Sequence, residues 1–322
     1  MELLAEVAKA ILIGIVEGVS EWLPISSTGH MIIVDEFVRL DVSADFLSFY
    51  LVVIQLGAIL AVFSLYTARL NPFGRQKPAE QRRDTWRLWL KVAMACLPAA
   101  VIGLLFDDWV EEHFFNAVVV AVALIVYGVA FIVVERLQGG GLKGGGRLHG
   151  AQEGGAHQDA SHSGAHRRHL RTDDPDAADR PDPVDGLESL SWLTAFQIGC
   201  FQCLAIIPGT SRSGSTILGG RILGVSRQVA AEFSFFLAIP VMFGWSLLKA
   251  VKTLLIDRLA VSPTEWLLLA VGIAAAYIVS RLAIRFLMAF IKEHSFTAFG
   301  WYRIGLGLVV LAYFGLTGGL LA

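Results

Sequence analysis

The run EGVSEWLPISSTGH, Glu17 to His30, interrupts an apolar stretch that extends from Leu3 to Val34. It brings two carboxylates, a cluster of hydroxyls and an imidazole into a segment of membrane-like hydropathy. Ionisable groups at bilayer depth are costly, and by default they mark a functional site. A second run, PGTSRSGST from Pro208 to Thr216, breaks the apolar stretch Trp192 to Leu223 in the same way. Pro24 stops one helix or opens the next. Each stretch therefore reads as helix, break, half-helix. Irregular backbone at depth is tolerated only when buried in protein or lining a wet cavity, so both are expected to be re-entrant hairpins.

The rest of the chain supplies the crossings. The 322 residues are 55% hydrophobic and 17% charged, with a mean hydropathy of +0.61; soluble domains carry roughly 25% charged residues. A crossing helix needs about 20 apolar residues. Six segments qualify: Phe46–Leu65, Leu88–Phe106, Ala117–Val134, Glu232–Leu248, Glu265–Met288 and Tyr302–Leu321. Trp86, Trp89, Trp109, Trp192, Trp266 and Trp301 fall near their ends, where aromatic belts form. The Leu3–Val19 stretch lacks a basic leader and a cleavage site, so no separate signal peptide is expected. A net charge of −2 gives no ground for a nucleic-acid partner. Cys96, Cys200 and Cys203 lie in apolar runs, and no second pair completes a zinc site. They are expected to be small packing residues.

Charge asymmetry sets an expected topology. Arg69, Arg75, Lys77, Arg82, Arg83, Arg87 and Lys91 crowd one connection. The next carries Asp107, Asp108, Glu111 and Glu112 without Lys or Arg, and the third is again arginine-rich. The positive-inside rule makes the first and third cytoplasmic, with both termini outside. Each half holds one hairpin and three crossings. Three is odd, so the second half must be inverted relative to the first, a transporter-like plan. The expected fold is an all-α polytopic membrane protein: an inverted-topology repeat of six transmembrane helices plus two re-entrant hairpins. Residues 1–137 form the first repeat with its hairpin at 3–34. Residues 191–322 form the second, with its hairpin at 192–223. Weak symmetry agrees: Pro24–His30 aligns with Pro208–Gly214, and Gly14-x-x-Glu17 resembles Gly199-x-x-Gln202 with the register slipped by one. Residues 138–190 between the halves are rich in glycine, histidine and aspartate at their centre, and are expected to be a disordered cytoplasmic loop.

The two runs contain the parts of a phosphate-handling site. Glu17 and Glu21 are one helical turn apart and share a face. Both cannot stay ionised at depth without a cation or donor; a divalent ion, Mg²⁺ or Ca²⁺, held with substrate phosphate oxygens would satisfy them. Structural glutamates bonded to neighbouring helices are the plainer alternative. Ser26, Ser27 and Thr28 fall at a half-helix N-terminus, which favours anions. His30, within one turn, is a candidate general acid or base. Arg212, between Ser211 and Ser213, offers a planar fork matched to phosphate. Pairing with Glu17 or Glu21 is its other reading. Gly209 lets backbone approach a ligand, and Thr210 and Thr216 add hydroxyls.

Glu17-x-x-x-Glu21, His30 and Pro208-Gly-Thr-Ser211-Arg212-Ser213-Gly-Ser-Thr216 together resemble the motifs of the undecaprenyl-diphosphatase, or bacitracin-resistance, family. The likeness covers the chain apart from residues 138–185. It implies an enzyme of the bacterial inner membrane that removes the terminal phosphate of undecaprenyl diphosphate. The product would be recycled as the carrier lipid of peptidoglycan synthesis, conferring bacitracin resistance. It also implies a site facing the periplasm. On this reading Glu17, Glu21, Ser27, His30 and Arg212 are catalytic, with Glu17 and Glu21 on the metal. Ser26, Thr28, Gly209, Thr210, Ser211, Ser213 and Thr216 bind substrate. Ser27 is the preferred nucleophile, with His30 or a glutamate taking its proton; His30 itself and a metal-bound water are the alternatives.

Two rivals remain in view. Phosphatidic-acid-type phosphatases need a second histidine close behind the Ser-Arg motif, and here the next one is His294. A flippase for a phosphorylated polyprenyl lipid would use the same anion site without chemistry. The sequence is silent on oligomeric state; a homodimer is compatible with it. Neither motif is complete alone, so Arg212 is expected within reach of Glu21 and Ser27.

Overall fold

A computed structural model of the chain describes residues 2–74, 77–114, 116–139 and 184–317. Eleven α-helices account for most of these: α1 (Glu2–Ser20), α2 (Ser27–Phe37), α3 (Ala44–Val53), α4 (Gln55–Leu70), α5 (Ala79–Phe114), α6 (Ala117–Gly139), α7 (Trp192–Gln202), α8 (Arg212–Ile222), α9 (Arg227–Val251), α10 (Pro263–Glu293) and α11 (Thr297–Thr317). Among the described residues no strand forms beyond a single bridge between Val184 and Val225.

Six units are long and apolar enough to cross a membrane: Ala44–Leu70, Ala79–Phe106, Ala117–Gln138, Arg227–Ile256, Pro263–Glu293 and Thr297–Thr317. They are the six read from hydropathy, most of them extended at one or both ends, and the expected end of the sixth at Leu321 lies outside the described residues. The first is α3 and α4 run together through Ile54, which keeps helical dihedrals. The second starts nine residues earlier than the apolar window, because Arg82, Arg83 and Arg87 are good helix formers outside the hydrocarbon. Their starts are chemically marked. Ser43, Ser226 and Ser262 each accept from a backbone N–H one turn on, and Ser262 with Glu265 closes a full capping box ahead of Pro263. Large apolar side chains such as Leu97, Leu104, Leu282 and Phe286 stay exposed, as a lipid-facing surface requires.

The two broken stretches appear as helix, break, helix. α1 runs to Ser20 and α2 starts at Ser27; α7 gives way to a 3₁₀ turn at Cys203–Ile206 before α8 starts at Arg212. The halves exchange these segments. α1 packs on α10, and α7 packs on α5. Both seams are made by glycine: a Cβ on Gly14 would lie 2.6 Å from the Gly272 carbonyl oxygen, and one on Gly199 2.1 Å from that of Ala95. α6 packs against α11, and α4 against α9. At the centre, Phe233, Phe235, Phe236 and Leu237 of α9 are fully buried.

Residues 140–183, most of the glycine- and histidine-rich stretch, lie outside the described residues. Its flanks are ordered. Gln138 donates to the Arg221 carbonyl, and Val184 pairs with the Gly224–Ser226 turn. Leu187 and Leu190 are buried, so packed structure resumes before residue 191. Cys96 and Cys203 are half-buried as expected, but Cys200 is exposed on the outer face of α7.

Candidate active site

The breaks carry matching strain. Ser26 and Ser211, the N-cap residues of α2 and α8, have φ of 74° and 71°. Their hydroxyls accept from Gly29 N at 3.3 Å and Gly214 N at 3.1 Å. Left-handed backbone at a non-glycine residue costs energy and persists where packing over-determines it. Aligning the two runs on these caps shifts the alignment by one residue from proline on proline. Ser26 corresponds to Ser211 and Gly29 to Gly214, and the same interval now pairs Gly14 with Gly199 and Glu17 with Gln202. The slipped register read from the sequence disappears, because the cap rather than the proline fixes where each half-helix starts.

Glu21 lies in the turn that continues α1, its N–H bonded to the Glu17 carbonyl at 3.0 Å. It is the meeting point of the two runs. Ser27 Oγ donates to Glu21 Oε2 at 3.1 Å, and Arg212 Nη2 donates to Glu21 Oε1 at 3.1 Å. Arg212 Nη1 donates to the Ser234 carbonyl at 2.9 Å, and its guanidinium lies 5.7 Å from the ring of buried Trp22. Ser213 Oγ donates to the Glu21 carbonyl at 3.0 Å, pinning the second break onto the first.

The remaining hydroxyls divide by role. Thr210 Oγ1 donates to the Leu204 and Ile207 carbonyls at 2.9 and 2.8 Å, so it shapes the turn. Thr216 Oγ1 donates to the Arg212 carbonyl at 2.9 Å and meets Ser234 Oγ at 2.6 Å. Thr28 is half-buried on the first turn of α2. Gly209, at φ 92°, passes so close to α6 that a Cβ would fall 2.6 Å from the Val120 carbonyl oxygen.

His30 Nδ1 contacts the Ser26 carbonyl at 2.7 Å. A carbonyl only accepts, so Nδ1 carries the proton. Nε2 lies 2.7 Å from Tyr302 Oη, and accepts from that hydroxyl whenever the ring is neutral. Ser27 is therefore bonded to Glu21 rather than to His30.

Arg303 and Tyr302 were not singled out from the sequence. Arg303 is fully buried. It donates to the carbonyls of Pro24 at 3.2 Å and of Gly209 and Thr210 at 2.9 Å, holding both breaks together. The signal was present: an arginine inside the apolar window of the last span, the rule that selected Arg212.

Glu17 is buried, and its Oε1 has no hydrogen-bond partner. Only Glu21 is bonded to the Arg212 guanidinium; Glu21 and the unpartnered Glu17 are a donor set that a hard divalent cation fits when phosphate oxygens complete its shell. Among the described residues no cluster of three or more His, Cys, Asp or Glu side chains could hold a metal unaided.

The family model for bacitracin resistance protein BacA matches residues 10–309. The chain belongs to this family. Relatives named undecaprenyl-diphosphatase match over almost the whole length. One from Streptococcus thermophilus is 50% identical over 309 residues, covering 96% of this chain and 93% of the relative. One from Enterococcus faecalis is 46% identical over 311 residues, 97% of this chain and 98% of the relative. A third, undecaprenyl-diphosphatase 1 of Clostridioides difficile, is 47% identical over 311 residues and covers 97% of both chains. Family membership and the six apolar helices together make this a multi-pass membrane protein.

Proposed function

We propose that the protein is an undecaprenyl-diphosphatase, a membrane phosphatase that converts undecaprenyl diphosphate to undecaprenyl phosphate and inorganic phosphate. One observation carries the mechanism: a serine hydroxyl and an arginine fork converge on the same buried carboxylate, each at 3.1 Å. That is a nucleophile with its base beside an anion clamp.

The incoming diphosphate draws Arg212 from Glu21 onto the non-bridging oxygens of the terminal phosphate. Glu21 then accepts the Ser27 proton as Oγ attacks the terminal phosphorus. The bond to the bridging oxygen breaks, and its electron pair leaves with undecaprenyl phosphate. Water next attacks the phosphoserine and gives its proton to a base; the Oγ–P bond breaks, Glu21 returns its proton to Oγ, and inorganic phosphate is released. His30, one turn beyond Ser27 on α2, is the base for that water once Tyr302 releases it. Glu17 and Glu21 would hold a divalent cation, Mg²⁺ or Ca²⁺, which when bound neutralises diphosphate charge. Ser213 and Thr216 fix the α8 terminus, where the helix dipole favours the anion. The exposed apolar faces would receive the prenyl tail.

The exchange of segments between halves supports an inverted-topology repeat with two re-entrant hairpins. So do the paired caps Ser26 and Ser211. With the Lys/Arg-rich α4–α5 connection inside, the first hairpin enters from outside and the site faces the periplasm of the inner membrane. The product would then re-enter peptidoglycan synthesis, and faster turnover would raise bacitracin resistance. The same segment exchange also favours a second reading, a flippase for the phosphorylated lipid.

Phosphate release from undecaprenyl diphosphate by purified protein in detergent, with and without chelator, separates these. Turnover should fall at least about a hundredfold with chelator and in Glu21→Gln. Substrate binding with no release in the unmodified protein would leave only transport. Full turnover in Glu21→Gln would remove the carboxylate from the mechanism.

A further inference from the structure

The connection that carries the excess of cations also closes around a cavity. It is about 330 Å³, bounded by the end of α4, the first turns of α5 and the Leu187–Glu188 segment. None of the residues of the candidate active site line it. That size lies at the lower end of ordinary ligand pockets. Four cations, Arg69, Lys77, Arg87 and Lys91, face two acids, Asp84 and Glu188.

The pairing inside is uneven. Arg69 is bound to Glu232, and Arg87 stands 3.7 Å from Asp84. Lys77 Nζ spends its protons on neutral oxygens: the Ala68 carbonyl at 2.7 Å, the Asn71 carbonyl at 3.2 Å and Thr85 Oγ1 at 2.6 Å. Lys91 is 6% exposed, yet its ammonium makes one hydrogen bond, to the Glu188 carbonyl at 3.4 Å. It also sits 5.9 Å from the ring of Trp192. An ammonium has three donors, so Lys91 holds two that no described residue takes up. Asp84 and Glu188 attract this ammonium through space without a side-chain hydrogen bond to it, so an anion reaching the two remaining donors would make charge-assisted hydrogen bonds there.

The surroundings set the depth. Trp192 is half-exposed beside Lys91, and Leu90 of α5 and Leu193 of α7 are largely exposed. Tryptophan and lysine with adjoining bare leucine are the signature of the headgroup level, with acyl chains alongside. We propose that this cavity binds an anionic phosphate group at headgroup depth, with Lys91 as its buried ligand and Lys77 as a second ligand that exchanges its long 3.2 Å bond to the Asn71 carbonyl for the anion. Its chemistry is that of an acidic phospholipid headgroup or of free phosphate.

The test uses the full chain in a non-ionic detergent. Native mass spectrometry compares retention of dioleoyl phosphatidylglycerol with that of dioleoyl phosphatidylethanolamine; a parallel arm measures the melting temperature against inorganic phosphate. Lys91→Gln removes the buried ligand, and Lys77→Gln, at a more accessible position, covers the case in which the first variant fails to fold. Phosphatidylglycerol retained over phosphatidylethanolamine, and weakened about fivefold by each substitution, supports the site with lipid as its source. No lipid preference, but a phosphate-dependent rise in melting temperature that Lys77→Gln abolishes, supports it with free phosphate as the source. Neither response in the unmodified protein, or either one persisting in both variants, overturns it.

Discussion

Glu21 accepts from Ser27 and from Arg212 at the same 3.1 Å, so in the proposed mechanism substrate competes for the guanidinium before chemistry starts. Arg212 bridges Glu21 and the Ser234 carbonyl with two separate nitrogens. A lysine places one point charge and cannot reproduce that fork. Arg212→Lys should therefore cut kcat/KM for phosphate release about a hundredfold while the protein stays folded; near-normal turnover would refute the clamp. Arg303 makes the opposite kind of contribution. Replacing it with leucine strands the Pro24, Gly209 and Thr210 carbonyls in the interior. At roughly 1–3 kcal/mol for each buried group left unsatisfied, Arg303→Leu should lower stability by about 3 kcal/mol or more, read as unfolding in mixed detergent micelles. Glu17, Glu21, His30 and Arg212 were legible because polar groups in apolar runs are conspicuous. Arg303 obeys the same rule but sits in no motif. Its meaning appears only when residues from both breaks are seen around it.

The half-helices owe their starting points to serines, and their approach to neighbours to missing side chains. Gly199 lies against the backbone of Ala95, where even a methyl would fall 2.1 Å from the carbonyl oxygen. Gly103, on α5, has no atom within 4 Å of an added Cβ. Gly199→Ala should destabilise the protein by about 2 kcal/mol through overpacking, while Gly103→Ala should be neutral or slightly stabilising. Thermal unfolding of the two variants in one detergent checks both; equal melting temperatures would mean that the α5–α7 seam yields. Element existence was readable from hydropathy, since crossing length is fixed by bilayer thickness. Element ends were less so. α5 starts at Ala79 rather than at the apolar window, because its cationic turns are helical outside the hydrocarbon.

Residues 138 and 184 both dock on the α8–α9 turn, Gln138 through the Arg221 carbonyl and Val184 through Gly224 and Ser226. The buried cluster of Glu135 with Arg221 and Arg227 holds that corner. A short flexible bridge should span the gap, since loop closure depends only weakly on length. Replacing residues 141–182 by a Gly-Ser linker should leave phosphate release within about twofold; its loss would assign the stretch a role in turnover. Sequence by itself determined the membrane class, the crossings, the two broken stretches and the polar groups they carry. Those follow from the cost of charge and unpaired backbone in hydrocarbon, which acts on each segment alone. The tertiary structure decided the rest: that Ser27 bonds to Glu21 and not to His30, that Tyr302 and Arg303 brace the breaks, and that Ser26 and Ser211 cap the two half-helices with matching backbone. Hydrogen bonds between residues far apart in the chain depend on packing at tenths of an ångström, and no periodicity or composition encodes that directly.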